Sequence, residues 1–152
     1  MKTLKTLIIV AIATSLFVFS SCNKDDDEPN KKEMLTANSW KVTAFTLDSL
    51  GFPILDIYQL MDDCNKDDLT IFNEDGTYES NEGPTKCNDA DPQVIEEGTW
   101  TFNSDETQII TTSDTTQTMD IVTLNSSKLA ISYTEEEEGV VYTYSIEMAP
   151  GN

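Results

Sequence analysis

The chain is 152 residues long and carries 28 acidic residues against 9 basic ones, a formal net charge of −19. Every basic residue is Lys. Without His there is no Ser-His-Asp triad, no Cys-His dyad and no HExxH zinc helix, and a chain this negative is a poor partner for nucleic acid, whose phosphates need Lys and Arg to displace their counterions.

The first segment reads as an address. Lys2 and Lys5 precede an apolar run from Leu7 to Phe19, broken only by Thr14 and Ser15. As a helix that run spans about 20 Å, short of the roughly 30 Å of a bilayer core, so it has the form of a secretory signal rather than a membrane span. It ends in Phe19-Ser20-Ser21-Cys22, which resembles a bacterial lipobox with Phe where Leu is usual. Residues 1–21 are therefore expected to be a lipoprotein signal peptide and Cys22 the lipidated residue, the chain's link to a membrane. An ordinary signal cut after Ser21 is the alternative.

Residues 22–34 carry almost nothing that packs and are expected to form an acidic flexible tether. Within them Lys24-Asp25-Asp26-Asp27-Glu28 resembles the acidic export signal of cell-surface lipoproteins of some Gram-negative bacteria. The expected location is the outer membrane, on its outer face, with the periplasmic face as the alternative.

From about Leu35 the apolar pattern turns to period two. Trp40, Val42 and Ala44 share one strand face, and Phe45 and Leu47 take the opposite parity, which suggests a bulge near Ala44. Ile54 to Met61 is the only stretch with room for a turn or two of helix. Leu69 to Phe72 and a strand from Tyr78 flank Asn73-Glu74-Asp75-Gly76, a tight turn with Gly76 supplying positive φ. Trp100 and Phe102 alternate with Thr99 and Thr101. Ile109–Thr112, Met119–Leu124 and Leu129–Thr134 follow, the last with Ile131 and Tyr133 on one face. Glu135 to Glu138 with Gly139 read as a hairpin tip. Tyr142, Tyr144, Ile146 and Met148 line a final strand. About eight short strands with closely spaced turns make an antiparallel meander. An all-β, up-and-down β-barrel over residues 35–149 covers both the apolar face and the open edges; a two-sheet sandwich is the alternative.

With Cys22 assigned to lipid, Cys64 and Cys87 are an even pair in an oxidising compartment. A disulfide is the default for such a pair, two buried thiols the alternative. Their polar neighbours favour surface loops. The stretch Asp62 to Asp68 is the densest oxygen cluster, but its spacing is not that of an EF-hand, so it reads as a solvated loop and no metal or other cofactor is expected. Paired carboxylates are the one catalytic route left. Glu96 and Glu97 fall on opposite faces of a strand, and one of them would point inward.

Asn38-Ser39-Trp40 at the first strand, Cys64 before Asp67–Tyr78, Cys87, and Gly98-Thr99-Trp100 in mid-chain together resemble the lipocalin-like domain of many bacterial lipoproteins. The resemblance implies an up-and-down barrel with a cup-like interior and a Cys64–Cys87 disulfide. Lipocalins proper have Gly at the place of Asn38 and an Arg over the Trp, and this chain has neither, so retinoid-type and haem-type binding are not carried over. Trp40, Val42, Trp100, Phe102, Ile131, Tyr133, Tyr142 and Tyr144 are the expected core or ligand-lining residues, with the two Trp residues packing the closed end. The function expected is a non-catalytic, lipid-anchored module whose barrel holds a small apolar or amphipathic ligand. The alternatives are an accessory subunit or inhibitor of a secreted enzyme, which needs an exposed apolar patch, and a carboxylate-dependent hydrolase.

Overall fold

The computed structural model describes residues 29–151. The expected signal peptide, Cys22 and the Lys24–Glu28 run lie outside the described residues.

The first element is a short helix, α1 (Lys31–Thr36), which begins inside the stretch whose composition suggests a tether. Asn30 and Glu33 close a capping box: Asn30 Oδ1 accepts from the Glu33 N–H at 2.9 Å, and Glu33 Oε2 accepts from the Asn30 N–H at 3.1 Å. Six residues cannot hold a helix alone. This one is held by Leu35, fully buried against the barrel, and by Lys31, whose ammonium donates to the Glu106 carbonyl.

Nine strands follow. They are β1 (Ser39–Ser49), β2 (Leu55–Asp56), β3 (Leu69–Phe72), β4 (Thr77–Asn81), β5 (Val94–Phe102), β6 (Gln108–Thr112), β7 (Thr116–Asn125), β8 (Lys128–Glu137) and β9 (Val140–Gly151). From β3 to β9 each pairs antiparallel with its chain neighbour, β1 pairs with β3, and β1 also pairs with β9 over its full length. Eight strands thus close into a barrel, which excludes the sandwich. β2 adds two residues to the far half of β1, opposite Thr46 and Leu47. Where a turn of helix had room, Tyr58–Leu60 form a single 3₁₀ turn.

The bulge expected near Ala44 is present in β1. The register with β9 shifts between Val42 and Ala44, so Thr43 is the extra residue. Trp40 and Val42 then face inward together with Phe45 and Leu47, and Ala44 turns outward. The shift lets one long strand keep its apolar face on the core while it bends around the barrel.

Two turns rest on backbone that only some residues tolerate. Gly76, at φ +87°, closes the β3–β4 turn. Glu138 and Gly139, at φ +53° and +81°, make a two-residue connection between β8 and β9. That tight turn makes Glu135, Glu136 and Glu137 strand residues, opposite Tyr142, Val141 and Val140, rather than part of a loose tip.

The core gathers at one end. Leu35, Trp40, Phe72, Trp100, Ile109 and Leu129 are buried there, where α1 and the β3–β4, β5–β6 and β7–β8 turns meet. Trp40 donates its indole N–H to the Leu35 carbonyl at 2.8 Å, and Trp100 donates to the Asn73 carbonyl at 3.0 Å. Each ring is thus fixed in place without an orphaned donor. Trp100 also meets Phe72 and Phe102 edge-on, at 5.6 and 5.2 Å between ring centres.

Candidate functional site

The other end of the barrel is hollow. A cavity of about 280 Å³ opens between the strands above the plug. Its deep wall is apolar: Val42, Phe72, Met119, Ile131, Ile146 and Met148. Its upper wall is polar: Thr70, Ser80, Thr111, Ser113 and Gln117, with Glu96 and the rings of Tyr78 and Tyr133. The gradient follows from strand geometry. Alternate residues face inward: on β3 and β6 a large apolar residue toward the plug, Phe72 or Ile109, is followed toward the mouth by Thr70 or Thr111, and on β7 Met119 is followed by Gln117. Two wider depressions, about 420 Å³ beside Lys32 and Glu106 and about 460 Å³ on the outer face of β4 and β5, are open to solvent and lie outside the barrel.

One glycine shapes the wall. Gly98 sits opposite Tyr78, and a Cβ there would lie 2.8 Å from the Tyr78 ring and 2.2 Å from the Thr112 carbonyl. The missing side chain lets Tyr78 lie flat across β5. Burial raises the Tyr78 phenol pKa, with the Glu96 carboxylate adding to the rise against a lowering hydrogen bond from Ser113. Burial likewise raises Tyr133, helped by Glu135 and Tyr144. Both phenols are therefore neutral hydrogen-bonding groups at physiological pH.

Glu96 is the carboxylate on the inward face. It lies opposite Ser80, lines the cavity mouth, and accepts a hydrogen bond from the Ser113 hydroxyl. Glu97 points outward beside Glu79. The two therefore do not converge on one substrate, as acid–base hydrolysis requires.

The mouth is framed by the loops around the disulfide. Cys64 and Cys87 are bonded, with their Cα atoms 5.2 Å apart, and the bridge ties the loop before β3 to the loop after β4. Gly83 packs so closely on this crossing that a Cβ would lie 2.0 Å from the Asp67 carbonyl. Asp67 and Asp68 each bury one carboxylate oxygen with no donor among the described residues. Burial, with Glu82 and Asp67 adding negative charge, lifts the Asp68 carboxyl to a pKa of about 6. Among the described residues no three acidic or thiol side chains are disposed to hold a metal ion.

The residues singled out in the sequence divide between plug and cup. Trp40, Trp100 and Phe102 pack the plug; Val42, Ile131 and Tyr133 line the cavity. Tyr144 lies on the same inward face as its cross-strand partner Tyr133, the two rings stacked at 4.8 Å. Tyr142 is half-buried at the rim opposite Glu135 and borders neither. Pattern reading passes over the polar lining, Ser80, Thr111, Ser113 and Gln117, because a binary pattern sends polar residues outward. A hollow barrel lets them point in. Counting in twos back from Trp100 would have placed Glu96 inside.

The model of the lipocalin-like domain matches residues 36–131 of the chain. No curated protein matches it.

Proposed function

Since the chain belongs to the lipocalin-like domain family, a fold that in general binds rather than catalyses, we propose that it is a non-catalytic binding module whose barrel takes up a small amphipathic molecule. The observation that carries this reading is the cavity itself, plugged at one end and open at the other, apolar below and hydroxyl-rich above. At about 280 Å³ it lies just below the usual range of ligand sites, roughly 300 to 1,000 Å³, and so suits a small guest. A titration of octan-1-ol into the chain by calorimetry tests it. One-to-one binding that is lost in Ser80→Phe, which fills the mouth, is the expected result. No heat of binding, or binding indifferent to Ser80→Phe, would count against it.

We further propose that the module is lipidated on Cys22 and displayed on the outer membrane. The chain enters the barrel at its plugged end through α1, so an anchor on Cys22 would leave the mouth facing away from the bilayer, where solutes reach it. Cys22→Ala should move the protein to a soluble fraction; unchanged membrane retention would contradict lipidation. Replacing Asp25 to Glu28 with Ala should protect the domain from protease added to whole cells. Continued cleavage would mean that the run is a spacer and not an export signal.

A second reading has its own observation. Leu50, Phe52, Ile54 and Leu60 are 92%, 69%, 65% and 70% exposed on the loops beside the mouth. Grouped apolar side chains of this kind fit docking to a protein partner, as an accessory subunit or an inhibitor of a secreted enzyme would need. Crosslinking on intact cells should then recover a partner that the pair Leu50→Ser and Phe52→Ser loses. Identical crosslinks from both proteins would remove this reading.

A further inference from the structure

The cavity's chemistry is one-sided in charge. Its lining holds one carboxylate, Glu96, and no Lys. Among the described residues the ion pairs are Lys66–Asp63 and Lys128–Glu147, so Glu96 has a hydroxyl partner, Ser113, and no ammonium.

The surroundings reinforce this. The loops at the mouth carry Asp67, Asp68, Glu82 and Asp114, and the β8 rim carries Glu135 to Glu137. The mouth loops hold two Lys residues, and both are engaged. Lys66 pairs with Asp63 at 3.0 Å, and Lys86 donates to the Asp91 carbonyl at 2.5 Å. Carboxylates around a low-dielectric opening focus a negative potential into it, which concentrates cations and repels anions. Burial does most to raise the Asp68 carboxyl, and the neighbouring Glu82 and Asp67 charges add to the rise.

Two further features favour a positive head group. Tyr78, beside Glu96, and Tyr133 both line the cavity, and aromatic rings attract ammonium groups. The hydroxyls of Ser80, Thr111 and Ser113 offer acceptor lone pairs to an N–H donor. Below them the apolar wall suits a short chain or a single ring. At about 30 Å³ per small group the cavity holds on the order of nine non-hydrogen atoms.

We propose that the barrel selects a small cationic amphiphile, an alkyl- or arylalkyl-ammonium of that size, with the Glu96 carboxylate as its counter-ion and the Met119–Met148 wall around its tail. This rests on the ligand-binding reading above and adds the sign of the ligand's charge. A fatty acid of the same length would place its carboxylate against Glu96 and be rejected.

The test uses three probes of matched length, octylammonium, octan-1-ol and octanoate, titrated at pH 7.5 and low salt. The protein is the full chain carrying Cys22→Ala, in which no acyl group competes. Octylammonium should bind at least tenfold tighter than octan-1-ol and a hundredfold tighter than octanoate. Glu96→Gln should bring octylammonium down to the level of octan-1-ol, while Glu97→Gln on the outer face leaves the ranking as it is. In Glu96→Gln, perturbation of the Met119 and Met148 methyl signals by octan-1-ol shows that the cup is still formed. Octanoate binding as well as octylammonium, or a preference that survives Glu96→Gln, overturns the inference and leaves the binding module standing. If none of the three binds, both fall.

Discussion

Cutting the Cys64–Cys87 bridge measures what holds the open end of the barrel. The bridge spans a sequence separation of 23 and encloses the whole β3–β4 hairpin. Closing a loop of that length removes roughly 11 to 12 cal/mol/K from the unfolded chain in the chain-entropy model, about 3.4 kcal/mol at 25 °C. Hairpin structure that persists in the unfolded chain would trim that figure. Both cysteines sit in polar, largely exposed loops, so Ser at the two positions adds no buried cavity. The double variant Cys64→Ser with Cys87→Ser should therefore melt roughly 10 °C below the oxidised protein, given the usual relation between stability and Tm for a domain of this size. The oxidised protein with a reductant should melt with the variant. Calorimetry on all three samples is the assay. A drop of less than about 2 °C would refute the reasoning, because the loops would then be fixed by their own packing.

Three further outcomes follow from named contacts. Asp68 titrates near 6 in the fold against 3.8 as its ordinary value. Between those values the folded state binds more protons than the unfolded one, so this group's contribution to stability falls as pH rises from about 4 to about 6. Asp68→Asn should raise Tm at pH 7.5 by roughly 3 °C, after allowance for solvent screening, and leave it close to the parent at pH 4; an equal shift at both pH values would contradict the burial argument. Gly98→Ala forces a methyl into the Thr112 carbonyl and the Tyr78 ring, and should cost about 1 to 3 kcal/mol in urea unfolding; a neutral result would mean that β5 can slide. Leu35→Ala empties the plug and should cost about 2 to 5 kcal/mol; a loss below 1 kcal/mol would show that α1 is not part of the closed end.

The strands were legible because a barrel wall alternates. Trp40, Val42, Trp100, Phe102, Ile131 and Tyr133 obey period two and all face inward. The turn at Gly76 was legible for a different reason, since few residues accept its backbone angles. The bulge was visible as a parity change near Ala44, but the face of Ala44 was not: it is small and apolar and fits either face, while Thr43 leaves the pattern by bonding its hydroxyl to the Glu147 carbonyl at 3.1 Å. α1 was illegible because its six residues hold one buried apolar side chain, Leu35, and periodicity needs several. β2, two residues long, is fixed by its pairing to β1 and by nothing in its own composition. The polar lining of the cup was hidden by the rule that found the strands, because that rule assumes a filled interior.

Methyl NMR on the protein labelled at methionine tests the hollow barrel most directly. Met119 and Met148 line the cavity, whereas Met34 in α1 and Met61 in the loop before β3 lie outside it. As octan-1-ol is added, the Met119 and Met148 signals should shift together and saturate at one equivalent, with Met34 and Met61 unmoved. Signals of Met119 and Met148 that stay fixed throughout, or a shift confined to Met61, would mean that the interior admits no guest.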